Sequence, residues 1–309
     1  MTTGRPIISR DSKLSLQLRW LTPQLTPARE SIRWACLLEA TAPKAGNVFP
    51  GKGFSDLSYV DFVRAADITA EVLDTHERFG YAVAKAAERI RALMETNVNL
   101  GILLLLGPLF RADQILSDKK ILEPTQDDWL TSVADALREL ESGDESAIFH
   151  AISISAAGGL GKVKKWDVHE ATGQVNLMDA MRDAAMRDRV AKQYAFGFSD
   201  LMESVVPVLM ESIVQTGDLL AGIVNAQIKL LTNHPDTLIS RKSGECKAEE
   251  VRQLASEVDP NQVGQRVKLD QFLRRDGNRF NPGTTADLIA AGLFVIFRSL
   301  PEARGDSAF

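Results

Sequence analysis

Apolar residues recur at helical spacing along most of this chain, and strict alternation is scarce. Thr26-Pro27 supplies an N-cap and then a proline at the first helical position, where its missing N–H costs nothing. Ile32, Ala35, Cys36 and Glu39 then share one face, and the helix stops before Pro43. Steps of three and four return from about Tyr59 through Phe62, Ala66, Thr69, Ala70 and Leu73. They return again through Val83, Ala87, Ile90, Leu93 and Met94. Thr125 with Asp128 forms a capping box, opening a helix with Trp129, Val133, Leu137 and Leu140 along its stripe. Further helices are predicted over 178–194, over 199–213 with Pro207 as a kink, over 218–231 and over 285–300. Alternation appears only around 151–155. The pattern predicts an all-α fold, a single-domain multi-helix bundle over residues 26–303. An extended or partly ordered arm (1–25) precedes it and a short tail (304–309) follows. In such a bundle, function falls to the loops between helices.

Composition narrows the function classes. The 309 residues are enough to bury a large core, and 45% apolar with 25% charged residues is ordinary for a globular protein. A net charge of −5 gives no basic face for a polyanion, so nucleic acid is not expected as a partner. Any anionic ligand must be met by local cations and backbone N–H groups. Two cysteines, Cys36 and Cys246, offer neither a disulfide framework nor a zinc knuckle. The apolar run Ile102 to Leu106, with Gly107-Pro108-Leu109-Phe110 after it, falls short of the ~20 residues that span a bilayer. With no apolar leader at the N-terminus, the expected location is cytoplasmic, with no membrane partner. Apolar faces on nearly every helix would permit a homodimer.

Four polar, glycine-bearing stretches carry the candidate chemistry. The first is Lys44-x-Gly46-Asn47, with Asp56 following. A lysine beside a glycine loop offers phosphate a cation and free N–H groups, though a surface loop reads the same way. The second holds Asn97, Asn99 and Gly101 ahead of a strongly apolar helix, as caps or as ligands. In the third, Asp236 stands before Arg241-Lys242, as a metal carboxylate with phosphate cations or as a solvated turn. The fourth, Asn281-Pro282-Gly283-Thr284-Thr285-Ala286-Asp287, opens the final apolar helix. Its Thr284 and Asp287 form a capping box or its N-terminus forms an anion site. Gly161-Lys162 lacks the rest of a phosphate-binding P-loop. His76, His150, His169 and His234 lack metal-ligand spacing, and no serine sits in a nucleophile elbow. The segment 179–189, rich in Asp and Arg, reads as a solvated face or as aspartates lining a ligand site.

Taken in order, these loops resemble one family. Glu39-Ala40-x2-Pro43-Lys44-x-Gly46, Asn97-x-Asn99-x-Gly101, Asp236-Thr237-x3-Arg241-Lys242-x-Gly244 and Asn281-x-Gly283-x2-Ala286-Asp287-Leu288 are similar in order and spacing to the triphosphoribosyl-dephospho-CoA synthases. The resemblance runs from about Thr26 to Leu300. It implies a helical transferase that moves the triphosphoribosyl group of ATP to the ribose of 3′-dephospho-CoA, releasing adenine, in prosthetic-group biosynthesis. It implies ATP as substrate, Mg²⁺ as cofactor, and dephospho-CoA or a related hydroxyl-bearing acceptor. One departure stands out: better-known synthases carry His-Lys where this chain has Asn99-Leu100.

The reaction explains the residue types. A transition state with oxocarbenium character favours a nearby carboxylate, and another group must take the acceptor's hydroxyl proton. Under the resemblance, Lys44, Arg241 and Lys242 hold phosphates, with Gly46, Asn47, Gly283 and Thr284 in the nucleotide loops. Asp56, Asp236 and Asp287 share acid–base work, with Asp56 and Asp236 as metal ligands. Asn97, Asn99 and Asn281 orient the sugar or base. A different acceptor, a nucleotide N-glycosidase using water, and a non-catalytic nucleotide-binding protein are the alternatives.

Overall fold

The computed structural model describes residues 4–74, 78–94, 98–156 and 176–304. Sixteen α-helices and no strand occur among the described residues. The first half runs through α1 (Lys13–Leu18), α2 (Thr22–Leu25), α3 (Ala28–Thr41), α4 (Tyr59–Leu73) and α5 (Phe79–Leu93). It continues with α6 (Leu100–Asp118), α7 (Gln126–Arg138) and α8 (Ser142–Ala156). The second half holds α9 (Leu177–Ala184), α10 (Arg189–Ala195), α11 (Val206–Thr216), α12 (Leu219–Asn233) and α13 (Thr237–Ser243). Last come α14 (Glu245–Ser256), α15 (Val263–Arg274) and α16 (Gly283–Arg298).

Apolar burial organises these helices into one main core and one satellite. In α16 almost every residue from Thr284 to Arg298 is buried, and it packs against α3, α6, α11 and α12. A helix apolar on all sides is stable only when surrounded, so α16 is the axis of the bundle. α6 is similar. At 19 residues, with a mean hydropathy of 1.4 in its most apolar window, it is long and apolar enough to cross a bilayer, which the bare apolar run did not suggest. Yet 72% of that window lies buried inside the protein. The satellite cluster gathers Ala45, Ile228, Leu231, Ile239, Val251, Leu269, Leu273 and Phe280, from α12 to α15 and the loops after α3 and α15. The seam between the two cores brings the candidate loops together.

Several local predictions hold and several do not. Thr125 and Asp128 make the expected reciprocal cap, with Thr125 Oγ1 accepting from Asp128 N at 3.1 Å. Residues 151–155 lie inside α8, so their alternation marks no strand. The helix predicted over 178–194 is two helices. Asp188 breaks the run by accepting from Val190 N and Ala191 N as the N-cap of α10. Pro207 does not kink a helix interior. It sits in the first turn of α11, after a π-helical turn over Leu201–Val205. Residues expected as an arm pack onto the body, with Ile8, Leu14, Leu18, Leu21 and Leu25 all in the main core.

Candidate active site

Asp236 shows how the loops are joined. It caps α13, its Oδ1 accepting from Leu238 N at 2.9 Å and Ile239 N at 3.1 Å. Its Oδ2 accepts from both Thr285 N and Thr285 Oγ1 at 2.7 Å. One carboxyl therefore satisfies orphan N–H groups at the starts of two helices, α13 and α16. The predicted Thr284–Asp287 capping box does not form: Asp236 supplies the cap from another helix, and Thr284 Oγ1 accepts from Thr237 Oγ1 at 3.1 Å. Burial pushes the Asp236 carboxyl up from its ordinary range, against the pull of Thr285, Ile239 and Leu238.

The first loop is equally built in. Lys44 is fully buried, its Nζ 2.8 Å from Glu39 Oε1 and also donating to the Glu39 carbonyl. That ammonium is not presented to a phosphate. Gly46 has φ 74°, and a Cβ there would lie 2.8 Å from Leu273 Cβ, so only glycine makes this turn against α15. Its N–H donates to Asp270 Oδ1 at 2.9 Å. Gln227, from α12, donates to Ala45 O and Asn47 Oδ1 and accepts from Ala45 N. Asn47 Nδ2 in turn donates to Asn281 Oδ1 at 2.6 Å. Burial pushes Asp270 up, but Lys52, the Gly46 N–H and Arg274 outweigh it and hold the carboxyl below its ordinary range. Gly283 opens α16 with Leu238 Cδ2 2.5 Å from where a Cβ would stand.

The remaining groups face one another at the seam. The Asp287 carboxyl lies against Gly101: a Cβ on Gly101 would overlap Asp287 Oδ2 and stand 2.6 Å from its Cγ. Gly101 is thus the seat of Asp287, and the second and fourth motifs meet there. Burial pushes Asp287 well above its ordinary range, and Glu39, Asp236 and Asp188 push it further, with Arg241 opposing weakly. Arg241 Nη1 donates to Asp188 Oδ2 at 3.0 Å. Lys242 Nζ donates to Asn278 O at 3.2 Å, and Asn278 Nδ2 donates to Asp56 Oδ2 at 3.1 Å. Burial, then Arg241, lowers the Lys242 ammonium, while Asp56 and Asp236 oppose the shift. Asp56 also lines a cavity of about 390 Å³ with Phe54, Leu57, Asp61, Leu93 and Met94. Asn99 stands at the N-cap position of α6 with φ 66° and makes no side-chain cap. Among the described residues, its buried Oδ1 has no hydrogen-bond partner.

The structure therefore sorts the sequence candidates. Lys44, Gly46, Asn47, Asp236, Asn281, Gly283 and Thr284 form the frame, each held by packing or by bonds within the protein. Asp287, Asn99, Arg241, Lys242 and Asp56 lie at the seam or on its rim, and Asn97 lies outside the described residues. Asp56 and Asp236 form no metal pair: all four bonds to Asp236 are made within the protein. Among the described residues no three His, Cys, Asp or Glu side chains gather as a metal site. Glu39, Gln227, Asp270 and Arg274 were given no role from sequence, and Asp188 only that of the 179–189 segment, a solvated face or a ligand-lining aspartate. The signal for Gln227 was an amide in a buried apolar run, beside Asn225, and for Asp270 an i,i+4 partner in Arg274, 2.7 Å away.

No curated protein sequence matches the chain. A crystal structure from Archaeoglobus fulgidus, put forward as a triphosphoribosyl-dephospho-CoA synthase, matches with a TM-score of 0.58 and 24% identity. The match covers 79% of this chain and 98% of that one, and at this identity it speaks for the fold alone. The family model CitG, ATP:dephospho-CoA triphosphoribosyl transferase, matches residues 26–306, and the chain belongs to that family.

Proposed function

We propose that this protein transfers the triphosphoribosyl group of ATP to the ribose hydroxyl of 3′-dephospho-CoA and releases adenine. The observation that carries the reading is the Asp287 carboxyl seated on Gly101, ringed by Glu39, Asp236 and Asp188. Carboxyl oxygens gathered in a sunken site favour a cationic, oxocarbenium-like ribosyl centre and disfavour an isolated anion. On this reading the triphosphate lies toward the cations, Arg241 and Lys242 in the last turn of α13. Lys44 acts indirectly by neutralising Glu39. The cavity beside Asp56, at about 390 Å³, is within the size range of small-ligand sites and is assigned to part of the acceptor.

Mg²⁺ belongs to this reading as part of the MgATP substrate. Asp236 spends both oxygens on helix caps, so the Asp56–Asp236 pair does not suit a resident ion. Magnesium commonly binds through substrate phosphates with few protein carboxylates, which is consistent with that assignment.

The test is adenine release from MgATP with and without 3′-dephospho-CoA, followed by the mass of the product. Release that requires dephospho-CoA, with a product heavier by one triphosphoribosyl group, is the expected result. Release with water alone would replace the transferase reading by an N-glycosidase. Binding of ATP without any release would mean that catalysis is lost.

A further inference from the structure

Two groups at the start of α6 suggest how the purine leaves and how it is selected. The first is Asn99, about nine-tenths buried, with an Oδ1 that no group among the described residues satisfies. Its backbone is left-handed, a conformation that asparagine adopts more readily than most L residues. A buried side-chain oxygen without a donor is rare in folded proteins and calls for a partner from outside. Two residues on, Gly101 carries the carboxyl of Asp287.

Every charged neighbour of Asp287 works against its ionisation or is already engaged. Glu39 from α3, Asp236 at the start of α13 and Asp188 at the start of α10 repel a negative charge there. Lys44 is bound to Glu39 and Arg241 to Asp188, so neither cation is bonded to Asp287. The buried Cys36 thiol, raised by burial and by Glu39 and Asp287, adds no positive charge. A carboxyl so placed is biased toward its protonated form, which can donate. The helix end thus offers one acceptor, Asn99 Oδ1, and one donor, the Asp287 carboxyl. Adenine has a matching edge: its 6-amino group donates and its N7 accepts.

Resting on the reaction proposed above, we infer that Asn99 and Asp287 grip the 6-amino and N7 edge of adenine, with Asp287 as the general acid for its departure. As the bond between ribose C1′ and N9 breaks, its electron pair stays with the base and N7 takes the Asp287 proton, giving neutral adenine. The ribosyl C1′ forms its new bond to the acceptor's hydroxyl oxygen, and the proton that oxygen loses restores Asp287. A 6-oxo purine would place O6 against Asn99 Oδ1, two acceptors with no proton between them. Sites built to pair a specific polar group reject the wrong partner strongly.

The experiment compares ATP with ITP in the full-length protein, with dephospho-CoA present. Wild type is expected to prefer ATP in kcat/KM by on the order of 100-fold or more. Asn99→Gly keeps the left-handed backbone without a side chain and is expected to cut that preference at least tenfold, with melting unchanged. Asp287→Asn is expected to lower kcat by roughly 10²–10⁴-fold, the usual worth of a general acid, while KM for ATP moves less than about threefold. The alkaline fall in kcat should vanish in that variant. An ATP-to-ITP ratio untouched by Asn99→Gly overturns the grip on the base. An Asp287→Asn enzyme with wild-type kcat, or with the alkaline fall intact, overturns the acid. A wild type that releases no base from either nucleotide overturns the underlying transferase reading instead.

Discussion

Removing the Asp236 carboxylate separates a framework role from a role on the reactants. In Asp236→Ala, the cap of α13 is lost, which costs about 1 kcal/mol. Thr285 N and Oγ1, both buried at the start of α16, lose their acceptor, at about 1–3 kcal/mol for each donor left without one. Relief of the buried carboxylate offsets part of this, leaving a net loss of about 3 kcal/mol. Asp236→Asn keeps the α13 half through Oδ1 but turns an NH₂ toward the Thr285 N–H, for a loss of about 2 kcal/mol. At roughly 2 °C per kcal/mol for a chain of this size, the melting temperature falls by about 4 °C in the asparagine variant and about 6 °C in the alanine variant. The assay is thermal unfolding followed by circular dichroism, paired with adenine release well below the transition. Activity should fall in proportion to the disorder of α13 and α16. An asparagine variant that melts with wild type yet loses activity a thousandfold would refute this reasoning, because Asp236 would then act on substrate or metal.

Three further outcomes follow from the same geometry. Gly101→Ala places a Cβ 2.6 Å from Asp287 Cγ and should cost about 1–3 kcal/mol while displacing the carboxyl; wild-type kinetics in this variant would remove Asp287 from the site. Asp287 has its folded pKa raised, so its protonated form favours folding and that contribution is lost as pH rises through the folded value. Wild type should therefore lose melting temperature relative to Asp287→Asn as pH rises from 4 to 9, and a difference independent of pH would contradict the buried acid. Lys44→Met leaves Glu39 buried without its cation and should cost about 3–5 kcal/mol, measured by urea unfolding; adding Glu39→Gln should recover part of it, and strict additivity would deny the pair.

Much of the bundle was legible because strong periodicity and reciprocal caps are local signals. α4, α5, α7 and α12 start and stop close to where apolar spacing and Thr125 or Asp218 place them. What failed was decided at a distance. The Ala151–Ser155 alternation is overridden by the packing of α8 on α5. α13 is a seven-residue helix whose polar residues look like a turn until Asp236 is seen capping it. Thr284 and Asp287 have the spacing of a capping box, but Asp236, 49 residues before the Thr285 it caps, takes the position first. The motif residues were visible, yet their division between frame and seam was not. Lys44 looks like a phosphate cation in sequence, and only the Glu39 side chain five residues earlier, folded back over it, shows otherwise.

The frame that holds the seam is stitched by contacts between distant parts of the chain. Ala45 meets Gln227 across 182 residues, Gly46 meets Asp270 across 224, and Asn47 meets Asn281 across 234. Closing loops of that size loses chain entropy before any reward arrives, so such contacts form late. The individual helices, by contrast, are local and fast. A refolding chain should therefore regain its helical signal well before it can hold a nucleotide, and ligand present during refolding would act only on the final step. Competence in this protein is a property of the finished chain, conferred when residues 45–47 find their partners near the other end.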